Sequence, residues 1–142
     1  MANTSTRLTG DNRKGLTERG IHSLLSWKNL WDTATTLYAV VDTAEQGAGS
    51  ICFSIINSDN PADLECDLQV SNDGDNWANC PFKDETGTET AAGAGFTVTS
   101  ATIQHVIVTY SDYPRYAAFR FFRLSMVPSA AVANCLVHAV LK

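Results

Sequence analysis

The three histidines and four cysteines are the side chains of this sequence best suited to metal binding or nucleophilic catalysis. They are His22, His105, His138, Cys52, Cys66, Cys80 and Cys135. No H-x-H, H-x-x-x-H or C-x-x-C spacing joins any two of them, so the sequence contains no recognisable pair of zinc ligands. We expect the cysteines to be buried, reduced thiols that act as small hydrophobic side chains. The prediction is therefore a protein without a metal ion or cofactor.

Two groups of carboxylates could bind a hard cation or transfer protons. Asp73 and Asp75 lie in N-D-G-D-N, whose spacing differs from the D-x-[DN]-x-[DN]-G calcium loop and is typical of a solvated turn. Asp84, Glu85 and Glu89 lie in a polar segment without the apolar pocket that shifts a carboxyl pKa. No G-x-S-x-G elbow or glycine-rich phosphate loop is present. We predict no catalytic residue and no enzymatic activity.

Aromatic residues and arginines alternate between Tyr113 and Arg123, a composition that could stack on nucleic acid. Phosphate recognition needs local positive charge, whereas the chain carries a net charge of −5 and this segment only three basic residues. Core packing is the favoured interpretation, and we expect no nucleic-acid partner. A sugar-stacking platform is the alternative, and its candidate residues are Trp77, Tyr110, Tyr113 and Tyr116.

The segment from Leu64 to Phe82 carries the clearest structural pattern. Its apolar residues alternate with polar ones, as expected for a strand with one buried face; they are Leu64, Cys66, Leu68 and Val70. Asp73 and Gly74 then supply a tight turn, and the chain resumes at Trp77 as a returning strand. We predict a β-hairpin whose structural corner is formed by Asp73, Gly74 and Trp77.

Alternating or β-branched apolar residues predict further strands, separated by turn residues. These segments are 36–42, 50–58, 96–110 (through Ile103, Val106 and Val108), 117–127 and 131–141, and the strand at 50–58 is expected to be central. The glycine-rich segment 83–95 is predicted to be a long loop. About eight strands favour an all-β antiparallel β-sandwich of jelly-roll or immunoglobulin-like type over residues 32–142.

Residues 1–31 form a predicted basic arm on an acidic body. The arm has five basic and two acidic residues, a charge of +3, and the remainder has five basic and thirteen acidic residues, a charge of −8. Ordering its first fifteen residues costs roughly 15–30 kcal/mol, and burying its two large apolar side chains returns only about 3–6 kcal/mol. A neighbouring surface must therefore hold the arm. The candidate partner-binding residues are Arg7, Leu8, Arg13, Lys14 and Arg19.

The second half of the arm is predicted to contain a short amphipathic helix over residues 21–31. Leu24, Trp27, Leu30 and Trp31 follow steps of three and four residues. We expect this apolar stripe to cap the core of the same chain.

Neither end of the sequence has a pattern that directs a chain to a membrane. The first ten residues lack the apolar region of a signal peptide. The longest apolar stretch, 130–141, is interrupted by Asn134 and His138 and is too short to span a bilayer. We expect a cytoplasmic location in the producing cell and no membrane partner.

The segment V-S-N-D-G-D-N-W, Val70–Trp77, resembles the S-x-D-G-x-x-W hairpin of small β-sandwich modules, which include discoidin-like carbohydrate binders and structural proteins of tailed bacteriophages. The later Y-A-A-F-R-F-F-R-L, Tyr116–Leu124, is similar to the strand that often pairs with this hairpin. Together the two segments cover about a third of the chain. The resemblance implies a β-sandwich that acts through binding.

The arm and this resemblance together favour a virion structural protein, a capsid decoration or cement protein of bacteriophage type. The expected partners are the major capsid protein or other virion subunits, and the expected oligomer is a homo-oligomer, with a trimer favoured. The expected location is the virion, assembled in the host cytoplasm. The alternatives are a discoidin-like carbohydrate-binding module and a neck or tail structural protein of the virion.

Overall fold

The computed structural model describes residues 7–8, 23–28, 36–43, 49–58, 62–130 and 135–142. These residues form twelve β-strands and one short 3-10 helix, Pro114–Ala118. The strands are β1 (Arg7–Leu8), β2 (Ser23–Lys28), β3 (Leu37–Asp42), β4 (Ser50–Asn57), β5 (Leu64–Ser71), β6 (Ala78–Asn79), β7 (Phe82–Lys83), β8 (Glu89–Thr90), β9 (Phe96–Val98), β10 (Thr102–Thr109), β11 (Phe121–Pro128) and β12 (Cys135–Leu141).

The strands form two sheets of six strands each. The first sheet has the order β1-β3-β11-β5-β6, with β9 also paired to β5, and the second has the order β2-β12-β4-β10-β7-β8. Every pairing is antiparallel except that of β1 with β3. The all-β prediction is confirmed, and the two sheets are those of a β-sandwich.

The hydrophobic core lies between the two sheets and is formed by every second residue of the long strands. In β4 and β12 the odd-numbered residues are buried, and in β5 and β11 the even-numbered ones are. Phe53 of the second sheet and Phe122 of the first are fully buried. Each such side chain contributes about 1.5–3 kcal/mol to the free energy of folding. The predicted burial of Leu64, Cys66, Leu68 and Val70 is confirmed.

The predicted helix over residues 21–31 is wrong where the structure describes this segment, because Ser23–Lys28 is strand β2. All six residues pair with β12, from Ser23 opposite Leu141 to Lys28 opposite Leu136. A short isolated helix is only marginally stable in water. A strand that pairs with the edge of an existing sheet gains backbone hydrogen bonds along its whole length. The edge of β12 therefore overrides the local helical spacing.

Four other predictions need smaller corrections. The predicted strand 96–110 is two strands, β9 in the first sheet and β10 in the second. The segment 83–95 is not a continuous loop, since Lys83 pairs with Glu89 between β7 and β8. Strand 117–127 begins only at Phe121, after the 3-10 helix. Ile103 belongs to the outer face of β10 and is 56% exposed, whereas Val106 and Val108 are buried. Seven of the twelve strands have six or more residues. The other five have only two or three, which is too short for an alternating pattern to be recognised in the sequence.

Two pieces of the predicted arm lie in the sheets. Arg7 and Leu8 form β1, opposite Tyr38 and Ala39 of β3 at the edge of the first sheet, and β2 forms the edge of the second. Arg13, Lys14 and Arg19 lie outside the described residues. The domain boundary after residue 31 stays a prediction.

Candidate functional site

The corner after β5 is organised by the carboxylate of Asp73. Its Oδ1 accepts hydrogen bonds from the backbone N–H groups of Asp75 and Asn76, both at 2.8 Å, and from the Ser71 hydroxyl at 2.9 Å. Its Oδ2 accepts a bond from the Asn76 side chain at 2.6 Å. The bonds from Asn76, Asp75 and Ser71 hold the pKa of Asp73 well below its usual range. The carboxylate therefore closes the turn through these four hydrogen bonds.

Gly74 completes the turn. Its backbone φ is +78°, a conformation that strains any residue with a Cβ. Its N–H donates to the Ser71 hydroxyl at 3.0 Å, and its carbonyl accepts the indole N–H of Trp77 at 3.2 Å. The side chain of Trp77 is therefore fixed by the same turn that Asp73 closes.

Trp77 lies against a guanidinium group on the outer face of the first sheet. The Arg123 guanidinium carbon is 4.1 Å from the centroid of the Trp77 ring and 4.0 Å from that of Tyr38. Its Nε donates to Gln69 Oε1 at 2.8 Å. The cation is held between two aromatic faces, an arrangement that stabilises both rings.

The neighbouring Arg120 also binds across strands. It forms a bidentate ion pair with Asp42 of β3, at 2.9 and 2.8 Å, and its backbone N–H donates to Asn72 Oδ1 at 3.0 Å. The sequence placed Arg120 and Arg123 among aromatics, but the partners Asp42 and Tyr38 are about eighty positions away. No local pattern could have identified them, since the register of β3 on β11 brings them together.

The four residues of the predicted sugar platform do not form one surface. Among the ring pairs of the described residues, none joins Trp77 to a tyrosine. Arg123 covers one face of Trp77. Tyr110 stacks on the core residue Phe122 with centroids 6.3 Å apart. Tyr113 and Tyr116 are the two candidates that line a common pocket, and sugar binding stays a prediction.

Tyr113 and Tyr116 line a small surface hollow. Their rings meet edge to face with centroids 6.3 Å apart, and the hollow has a volume of about 240 Å³. Its other lining residues are Pro81, Asp112, Pro114 and Arg115. The Tyr113 hydroxyl donates to Glu89 Oε2 at 2.6 Å, and burial together with this bond raises the Tyr113 pKa. The hollow thus has apolar walls with an acid and a base at its rim.

All four cysteines are free thiols, and the predicted burial holds for three of them but not for Cys52. Cys66, Cys80 and Cys135 are buried, and burial raises the pKa of Cys80 and of Cys135 to about 12. Cys52 is half-buried on the outer face of the second sheet. Within the described parts of the chain, no three His, Cys, Asp or Glu side chains cluster as metal ligands would. The same described parts contain no helix that is long and apolar enough to cross a membrane.

The protein is a β-sandwich. The surface hydrogen bonds, ion pair and cation–π contacts described above lie on its strands and turns. No protein-family model matches the chain. A search of curated proteins likewise found no match.

Several solved structures align with the chain. The SPBc2 prophage-derived protein YomS aligns with a TM-score of 0.54 at 10% identity, over 85% of this chain and 94% of YomS. The Yersinia pseudotuberculosis-derived mitogen aligns at 0.41 and 6% identity, over 84% of each chain. The family 22 carbohydrate-binding module of Clostridium thermocellum Xyn10B aligns at 0.34 and 10% identity, over 86% of this chain and 81% of that one. Only a score above 0.5 supports a common fold here, so the likeness we use is that to YomS.

Proposed function

We propose that this protein is a non-enzymatic structural protein of a bacteriophage-type virion, and that it decorates the capsid as a cement protein. The observation that carries the proposal is the fold shared with a prophage-derived protein over nearly the whole of both chains. The S-x-D-G-x-x-W hairpin resemblance supports it, because the hairpin is present with its corner fully hydrogen-bonded. A neck or tail position in the virion would use the same fold.

In this proposal the sandwich sits on the shell, and the part of residues 1–31 outside β1 and β2 contacts a neighbouring subunit. The arm's charge of +3 opposes the −8 of the remainder, so an arm from one subunit is attracted to the body of another. Backbone pairing of Arg7–Leu8 with β3 supports the ability of this segment to bind a sheet edge. A stable specific interface buries about 1,200–2,000 Å², and an extended arm supplies part of that area without enlarging the domain. The proposed partners are the major capsid protein, other virion subunits and further copies of this chain.

The test is incorporation into particles. Particles are banded on a density gradient from cells producing either the full chain or a variant lacking residues 1–15, and the chain is quantified in the particle band by mass spectrometry. We expect the full chain in the band together with the major capsid protein, and the truncated variant in the unassembled fraction. Equal incorporation of both variants would remove the role of the arm. Absence of the full chain from the particles would remove the proposed function.

A saccharide-binding module is the second candidate, and the hollow at Tyr113 and Tyr116 is the observation that favours it. Aromatic walls can stack on a sugar ring, while Asp112 and Arg115 at the rim can bind hydroxyl groups. A glycan array would give reproducible binding that is lost in Tyr116→Ala. Trp77→Ala is the matched control and should retain binding, because Trp77 lies outside the hollow. An array without signal removes this candidate.

A further inference from the structure

The outer face of the second sheet carries a regular grid of nine side chains on β10, β4 and β12. Strand register arranges them in three rows. The rows are Ile103–Ile56–Leu136, His105–Ser54–His138 and Ile107–Cys52–Val140. Ile103 is 56% exposed and the other eight are half-buried. Two apolar rows therefore flank one polar row on a surface outside the core.

This face differs in charge from the outer face of the first sheet. None of the nine grid positions is Asp, Glu, Lys or Arg. Lys83 of β7 lies beside Ile107 at the border of the grid and is ion-paired with Asp112. The first sheet instead presents the Arg120–Asp42 ion pair, the Arg123 stack, and a groove of about 390 Å³ lined in part by Glu65 and Asp67. A strongly charged partner would match the first sheet better than the second. The grid suits a partner surface that is itself apolar and uncharged.

The order of the rows identifies such a partner. The grid is symmetric about its middle row, since an apolar row lies at equal distance on either side. A two-fold axis along the middle row would place each apolar row of one copy against an apolar row of the other, and the polar rows against each other. Ser54 Oγ and His105 Nδ1 bond each other within the chain at 2.8 Å. Hydroxyl and imidazole groups each have a further donor or acceptor position, through which the polar row can pair with its own copy. A self-complementary patch is what a two-fold contact requires.

We propose that this face of the second sheet binds the same face of a second copy of the chain. The three strands of the grid, β12, β4 and β10, span about 14 Å by 26 Å, or about 360 Å², from ordinary strand spacing and rise. A standard interface uses about 800 Å² from each partner, so the contact belongs to the weak end of the range. The dimer is therefore expected to dissociate on dilution. This contact does not depend on the virion role, and its failure would leave the particle experiment unaffected.

Cys52 provides a reporter inside the proposed contact. It lies in the grid between Ile107 and Val140, and it is the only one of the four cysteines that is not buried. Its alkylation by a maleimide should slow as the protein concentration rises, because the dimer covers it. The other three thiols are shielded by the core at every concentration.

Two substitutions test whether this face, rather than another part of the surface, forms the contact. Ile103→Glu places a charge in an apolar row, and Val127→Glu places the same charge on the first sheet, at a residue that is 39% exposed. Both residues are large exposed apolar side chains in strands. Because Val127 pairs with Glu65, Val127→Glu is expected to cost more folding stability than Ile103→Glu. Circular dichroism and the thermal transition establish that each variant is folded.

Sedimentation velocity from about 1 μM to about 1 mM covers the Kd range of weak interfaces. As the concentration rises, we expect wild type and Val127→Glu to shift from the mass of one chain to that of two, with Cys52 protected from alkylation. Folded Ile103→Glu should keep the mass of one chain, with Cys52 still alkylated. Wild type that stays monomeric, or that forms the trimer expected from sequence, overturns the proposal. So does association that survives Ile103→Glu or that is lost in Val127→Glu. Should Ile103→Glu not fold, Ile103→Ser replaces it, with a reduced two-chain fraction expected and an unchanged fraction overturning the proposal.

Discussion

At the scale of the residue, the Arg123 side chain connects three strands and the hairpin corner. It stacks on Tyr38 and Trp77 and bonds Gln69. Each cation–π contact at a partly exposed site contributes about 0.5–1 kcal/mol, so Arg123→Ala should lower the free energy of unfolding by about 1–2 kcal/mol. Urea denaturation measures this loss. Arg123→Lys is the control that keeps the charge without the planar group, and its free energy of unfolding should lie between those of wild type and Arg123→Ala. An Arg123→Ala variant as stable as wild type would show that the stack contributes nothing.

The Asp73 carboxylate makes the stability of the corner depend on pH. Because its pKa is lower in the folded chain than the value of 3.8 that it has when unfolded, its contribution is complete above about pH 4 and declines as the pH falls below that value towards the folded pKa. Thermal denaturation of wild type and Asp73→Asn should therefore show a wild-type advantage at pH 7 that shrinks towards pH 2. A difference that is constant over this range would contradict the assignment of the turn to the charged carboxylate.

At the scale of the element, β1 is a two-residue addition to a sheet whose other strands pair without it. Removing residues 1–15 leaves β2 and all pairings of the remaining strands in place. The loss is confined to a few backbone hydrogen bonds, each contributing about 0.5–1.5 kcal/mol. We expect the truncated chain to give the same circular dichroism spectrum and a cooperative thermal transition only a few degrees lower. An unfolded truncated chain would make the arm part of the fold and would contradict its proposed role in partner binding.

Long elements with strict alternation could be predicted from sequence, whereas the elements that depend on distant partners could not. β4 and β5 were predicted because alternate side chains enter the core over eight residues. β2 was predicted as a helix because its strand state depends on the edge of β12, more than one hundred positions away. The hairpin corner at Asp73 and Gly74 was predicted because turn chemistry is local. The Arg123 stack could not be predicted, because the residues that form it are brought together only by the register between distant strands.

At the scale of the whole molecule, the two outer faces of the sandwich have different chemistry. The first sheet is charged and carries the ordered arginines, and the second is uncharged over its central grid. A subunit that stands on a shell needs one surface for the assembly and another for solvent, and this asymmetry suits that role. In the two proposals, the second sheet carries self-association and the arm carries contact with other virion subunits.

Imaging of particles by electron cryomicroscopy tests the central claim, the virion role, most directly. Particles from cells producing the full chain are compared with particles from cells in which the chain is deleted. We predict additional sandwich-sized density at regular positions on the shell, with the part of residues 1–31 outside β1 and β2 extending onto a neighbouring subunit, and no such density in the deletion. Particles of identical appearance from both sources, with no density for this chain on the shell, neck or tail, would contradict the account.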